Sequence, residues 1–169
     1  KVVRLSPLKV MLRIAAGLVL LAVGIWAFRN QLSLKGDVEA VVTPANVTKQ
    51  LSLSDGSAVV LNHSSELEYQ ESFDQNERRV KLNGEAFFQV QRDEKRPFVI
   101  ETSNALVTVL GTSFNVRSYQ NDSFFEVFVE SGKVRVSFLK DKQQVELTKG
   151  EFVRFDKKDK QIIKGVDVA

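Results

Sequence analysis

The chain has 169 residues, with 24 Lys and Arg against 21 Asp and Glu, a formal net charge of +3, one histidine and no cysteine. The absence of cysteine excludes disulfides and thiolate metal sites, and a single histidine leaves little for metal ligation or a histidine-based hydrolase. The positive charge does not argue for nucleic acid, because it is confined to one end. Residues 1–36 carry six Lys and Arg and no acid, whereas residues 37–169 carry 18 basic and 21 acidic residues.

In chain order, residues 1–7 read as a cytoplasmic flank and residues 8–28, LKVMLRIAAGLVLLAVGIWAF, as a transmembrane helix. The uncharged run Ile14–Phe28 covers only ~22 Å at ~1.5 Å per residue, short of a ~30 Å hydrocarbon core. Counted from Leu8 the segment reaches ~31 Å, and Lys9 and Arg13 can snorkel to the headgroups. Trp26 suits an interfacial anchor. Lys1, Arg4, Lys9 and Arg13 outnumber Arg29 and Lys35, so the positive-inside rule places the N-terminus in the cytoplasm and the later residues across the membrane. Two other readings compete. A cleaved signal peptide has a similar start, but no small-x-small pattern follows this one. A buried soluble helix would show a polar face. The chain opens on Lys, so a preceding cytoplasmic segment is expected.

Residues 29–45 read as a periplasmic tether, closing with an edge strand, and residues 46–169 as one β domain of about ten short strands. Asn46–Leu53 precedes the turn Ser54-Asp55-Gly56 and Ala58–Leu61. Arg79–Leu82 meets Asn83-Gly84, a strong hairpin signal, and continues as Glu85–Val90. Arg96-Pro97 opens an edge strand, Phe98–Thr102. Ala105–Leu110 leads through Gly111-Thr112 into Phe114–Tyr119. Phe124–Glu130 turns at Ser131-Gly132 into Lys133–Phe138, and Val145–Leu147 turns at Lys149-Gly150 into Glu151–Phe155. Leu139–Gln144 and Asp156–Lys160 read as solvated turns. Eleven of twelve Phe lie in this part. Phe87 and Phe88 must face opposite ways on one strand, and Phe114 is expected inward. The expected class is all-β, an antiparallel sandwich or roll, after one N-terminal transmembrane helix.

The strings LSDGSAVVLNHSSELEY (Leu53–Tyr69), RRVKLNGEAFFQVQRDEKRPFVIET (Arg78–Thr102) and VTVLGTSFNVRSY (Val107–Tyr119) resemble the FecR family of iron-dicitrate sensors and anti-sigma regulators. VFVESGKVRV and LTKGEFVRF extend the resemblance over residues 46–155. It implies a relay in the bacterial inner membrane that serves iron uptake. A cytoplasmic N-terminal segment would hold an extracytoplasmic-function sigma factor. The periplasmic side would receive the signalling domain of a TonB-dependent outer-membrane transporter, mainly through a small C-terminal domain expected after Ala169. The alternative is a membrane-tethered module binding glycan or a small ligand, because fold alone does not fix function.

No external reaction is expected. His63 sits in a polar run with no nucleophile elbow, Glu66 and Glu68 share one strand face as solvated carboxylates, and no cofactor or metal pattern stands out. The resemblance implies one reaction to weigh, self-cleavage at Gly111-Thr112. The Thr112 hydroxyl would attack the Gly111 carbonyl, the C–N bond would break with a proton passing to the amine, and water would open the ester. A partner site is expected at Gly150, Glu151, Phe152, Val153, Arg154 and Phe155, as a terminal strand with one free edge.

Overall fold

The computed structural model describes residues 11, 15–25, 38–140 and 142–167. The chain divides into two units, Lys1–Lys35 and Gly36–Ala169. In the first, residues 15–25 are helical and exposed. Among the described residues no helix is long and apolar enough to cross a membrane. The rest of the 8–28 segment apart from Met11, Trp26 included, lies outside the described residues, as do residues 1–7 and 29–37.

Among its described residues the second unit has thirteen strands. They are β1 Val38–Val42, β2 Lys49–Ser52, β3 Ala58–Leu61, β4 Glu66–Gln70, β5 Arg78–Gln89, β6 Phe98–Glu101 and β7 Ala105–Val109. After these come β8 Ser113–Ser118, β9 Phe124–Ser131, β10 Lys133–Phe138, β11 Gln144–Thr148, β12 Glu151–Asp156 and β13 Ile162–Val166. The expected edge strand at the close of the tether is β1, which pairs with β4 ahead of Pro44.

One long strand organises the fold. The first half of β5 pairs with β4 and β6, and its second half with β3 and β8. It is therefore shared by two sheets, β1-β4-β5-β6-β7-β10-β11 and β2-β3-β5-β8-β9-β12-β13, which join as a single curled sheet. Asn83-Gly84 is thus not a hairpin. Burial alternates through it without a break, from Arg78, Val80 and Leu82 to Gly84, Ala86 and Phe88. A two-residue turn would have reversed the chain, and the unbroken period of two shows that it does not. Gly84 instead takes φ +113°, which a side chain tolerates poorly, and marks where the strand bends from one sheet to the other.

The roll is not wholly antiparallel. β5 and β6 run parallel, Arg78 opposite Phe98 through Lys81 opposite Glu101. β6 is also paired with β7, so the strand after Arg96-Pro97 is interior, not an edge. Pro97 is tolerated because it precedes the strand, where its carbonyl accepts from Arg78 N–H at 2.8 Å. Lys149-Gly150 turns the chain as expected, whereas Ser131 belongs to β9 and Gly132 alone bends the chain into β10; neither place closes a hairpin. β9 and β12 lie in one sheet, β10 and β11 in the other.

The two inner faces close on an aromatic core. Phe88 and Phe114 stack at 5.4 Å, and Phe98 meets Phe88 from the opposite sheet at 6.2 Å. Phe138 bridges in the same way to Phe125 and Phe155, at 6.1 and 5.5 Å. Phe114 is fully buried, as its alternation predicts. Each such ring removes on the order of 150–250 Å² from water, which makes these six rings the principal stabilising contacts between the layers.

Candidate interaction surface

Gly111-Thr112 links β7 in one sheet to β8 in the other. Its side chains are tightly held. Thr112 is 4% exposed, and its hydroxyl donates to the Lys133 carbonyl at 2.8 Å. A Cβ on Gly111 would lie 2.6 Å from the Arg92 Cα, and one on Gly132 would lie 2.8 Å from Thr112 Oγ1. Two inter-sheet corners therefore interlock, and glycine is needed at both for space. Thr112 hydrogen-bonds a carbonyl, not a base, and neither Gly111 nor Thr112 has a positive φ. An acyl shift here would first require the hydroxyl to leave Lys133.

The expected free edge at residues 150–155 is occupied. β12 pairs on one side with β9 and on the other with β13, Glu151 opposite Val166 through Phe155 opposite Ile162. The free edge belongs to β13, a strand with no clear alternation in its sequence Ile-Ile-Lys-Gly-Val. Gly165 admits it. A Cβ there would lie 2.7 Å from the Phe152 ring, which lies across the glycine. Lys164 closes the seam between the two sheet ends, donating to the Glu146 carbonyl and to Glu151, each at 2.9 Å. Glu151 also accepts from the Thr148 hydroxyl at 2.9 Å. Lys164 first, and then the Thr148 N–H, hold the Glu151 carboxyl down to about 2. The group is ionised at any physiological pH.

The outer face of the second sheet carries two ordered rows that the sequence reading did not assemble. Register sets Val60, Phe87, Asn115, Phe128 and Phe152 side by side across β3, β5, β8, β9 and β12. Two residues along the strands, Glu85, Arg117, Glu126 and Arg154 form a parallel row of alternating sign. Arg117 pairs with Glu85 at 3.3 Å and Arg154 with Glu126 at 2.6 Å. Both guanidinium groups also lie over the Phe124 ring, at 5.3 and 4.7 Å. The three Phe rings are half-buried, and Val60 is 39% exposed. The signal in the sequence was there: Phe87, Phe128 and Phe152 each sit one place from a fully buried residue of the same strand. Pairing order, however, was needed to line them up.

The remaining singled-out residues make local contacts. The His63 ring stacks on Tyr119 at 6.1 Å, and its carbonyl accepts from the Tyr119 hydroxyl at 2.8 Å. Glu66 and Glu68 share one face of β4, with Glu68 at 3.7 Å from Lys81.

A family model described as FecR protein matches residues 39–135, from β1 into β10. Two crystal structures from Parabacteroides distasonis, each described as an anti-sigma factor, are similar to this chain. One is 35% identical with a TM-score of 0.75, the other 36% identical with a TM-score of 0.74. They match 78% and 76% of this chain, which spans only 61% and 60% of theirs. No curated protein matches. On the strength of the family match, which takes in the shared strand β5 and most of both sheets, the chain belongs to the FecR family.

Proposed function

We propose that this protein is a single-span anti-sigma regulator whose β domain stands in the bacterial periplasm. The observation that carries the reading is the FecR match over residues 39–135, supported by the two similar anti-sigma structures. In this reading residues 1–7 lie in the cytoplasm, 8–28 cross the inner membrane, and the tether leads into the β domain. Two features support the span. Residues 15–25 are helical, apolar and exposed, and the basic residues cluster before Ile14.

A cytoplasmic N-terminal segment binds an extracytoplasmic-function sigma factor. On the far side, the periplasmic region receives the signalling domain of a TonB-dependent transporter engaged in iron uptake. Signalling of this kind needs no catalysis on an external substrate. It needs a partner that binds one arrangement of the regulator better than another, since a ligand shifts an equilibrium only by its differential affinity.

The test is affinity purification of the full-length gene product from its own cell envelope, followed by mass spectrometry and transcription profiling of the deletion strain. Expected are a co-purifying sigma factor and a change in that factor's promoters. Purification without any sigma factor, together with an unchanged transcript profile, would remove the proposal.

A further inference from the structure

The two rows on the outer face of the second sheet have a symmetry that the fold does not require. Read across β5, β8, β9 and β12, the charged row runs Glu85, Arg117, Glu126, Arg154. Reversed, it presents Arg where it had Glu at every position. We infer that this face is where two copies of the chain pack, related by a two-fold axis that lies along the strands between β8 and β9.

Such an axis exchanges β5 with β12 and β8 with β9. Glu85 then faces Arg154 of the second copy, and Arg117 faces Glu126 of the second copy. Each pairing occurs twice, as an isologous interface demands. In the neighbouring row Phe87 meets Phe152 of the second copy and Asn115 meets Phe128 of the second copy. Apolar rings are thereby buried beside a fully matched charge row, the usual composition of an interface core and its rim. Sheets pack face to face about 10 Å apart, a spacing that half-buried rings fill from both sides.

Charge complementarity selects this occupant. An anionic lipid surface, or a partner patch of one sign, meets repulsion at every second position of the row. The chain's own row in reverse meets none. Donors are available as well: the Arg117 and Arg154 side chains are 38% and 48% exposed, although Arg154 already holds Glu126 and Arg117 holds both Glu85 and Asp122 of its own copy. A guanidinium has five N–H donors, so each retains N–H groups that can donate to a further carboxylate.

The inference is independent of the sigma-factor reading and is tested without it. The full chain in detergent micelles is followed by sedimentation velocity over a range of concentrations. The wild-type protein should shift from one to two copies per particle as concentration rises. Phe128→Glu, at the middle of the apolar row, should weaken association by at least about tenfold. Val60→Glu serves as a second, more exposed variant should Phe128→Glu unfold. Glu85→Arg and Arg154→Glu should each weaken association, and the double variant should restore it, because the two exchanged charges then face each other across the axis with their signs again opposed. That rescue cannot come from contacts within one copy, where the double variant opposes like charges. A particle of one copy at every concentration would overturn the proposal. So would association that Phe128→Glu and Val60→Glu leave unchanged, or a double variant no stronger than the single ones.

Discussion

Arg78 and Gln91 stand 13 positions apart, yet the Arg78 Nη1 donates to the Gln91 carbonyl at 2.8 Å. Thirteen residues of flat strand would span about 43 Å. One side chain closes that distance because β5 curls on itself, and this contact explains how eight residues suffice to bring the chain back to a parallel partner, β6. The same guanidinium donates through Nε to the Arg96 carbonyl at 2.9 Å and through Nη1 to Asp55 at 2.7 Å, with both side chains of the ion pair almost fully buried. It also lies over the Phe98 ring.

Removing Arg78 should therefore be severe. Arg78→Met leaves Asp55 buried without its counter-charge, and breaking a buried pair in this way costs about 3–5 kcal/mol. Arg78→Met with Asp55→Asn removes both charges and should cost less than the single change. Urea denaturation of residues 36–169 reads both. A single variant within about 1 kcal/mol of the wild type would show that the curl does not depend on this pair.

The bend itself rests on Gly84. A Cβ there would lie 2.3 Å from Ser65 Oγ, which accepts from the Glu85 N–H at 2.8 Å, and the backbone is at φ +113°. Gly84→Ala should cost about 2–4 kcal/mol from strain and overpacking together. Ser65→Ala removes one of the clashing atoms, so the double variant should be less damaged than the sum of the two singles. Strict additivity in denaturation would contradict the contact.

Much of this fold was legible locally, and what was not legible concerned pairing. Lys133–Phe138 coincides with β10 because Val134, Val136 and Phe138 alternate with polar residues, and Ala58–Leu61 coincides with β3 because a short apolar run follows the turn at Gly56. Asn83-Gly84 misled because that dipeptide also suits a bend, and only the alternation running on through Ala86 and Phe88 distinguishes the two. Gly132 and Gly150 announce turns without saying which sheet the chain enters next. β13 was missed because Ile-Ile-Lys-Gly-Val has no period, its fit depending on the Phe152 ring over Gly165. The outer-face rows fall in the same class, since residues from five strands become neighbours only once the strand order is fixed.

Tyr69 gives the strand β1 a pH dependence. Its hydroxyl donates to Glu39 at 2.7 Å across the β1–β4 pair, and burial first, then that hydrogen bond, raises its pKa to about 12. The folded value exceeds the unfolded value near 10, so the contribution is complete below pH 10 and is lost as pH rises toward 12. Ultraviolet titration of the phenolate, with hydrogen exchange at Val38–Val42, should show the strand loosening in that window. Tyr69→Phe should remove the dependence. Loosening at the same pH in Tyr69→Phe would assign it elsewhere.

Thr112 separates a corner from a reaction. Loss of its hydroxyl removes the hydrogen bond to the Lys133 carbonyl, so Thr112→Ala should cost about 0.5–1.5 kcal/mol whether or not the chain cleaves itself. Self-cleavage adds a second expectation. Two pieces should separate on denaturing gels and stay together on native ones, with Thr112→Ser retaining some cleavage and Thr112→Ala none. A chain that stays intact on prolonged incubation, indistinguishable from Thr112→Ala on both gels, would leave Thr112 as a corner residue alone.

The regulator proposed above has its β domain on the far side of the membrane from its N-terminus. Alkaline phosphatase, which is active only after export, reports that topology directly. Fusions after Ala45 should be active and fusions before Lys9 inactive. Activity from the Lys9 fusions with none from the Ala45 fusions would invert the chain in the membrane and contradict the relay.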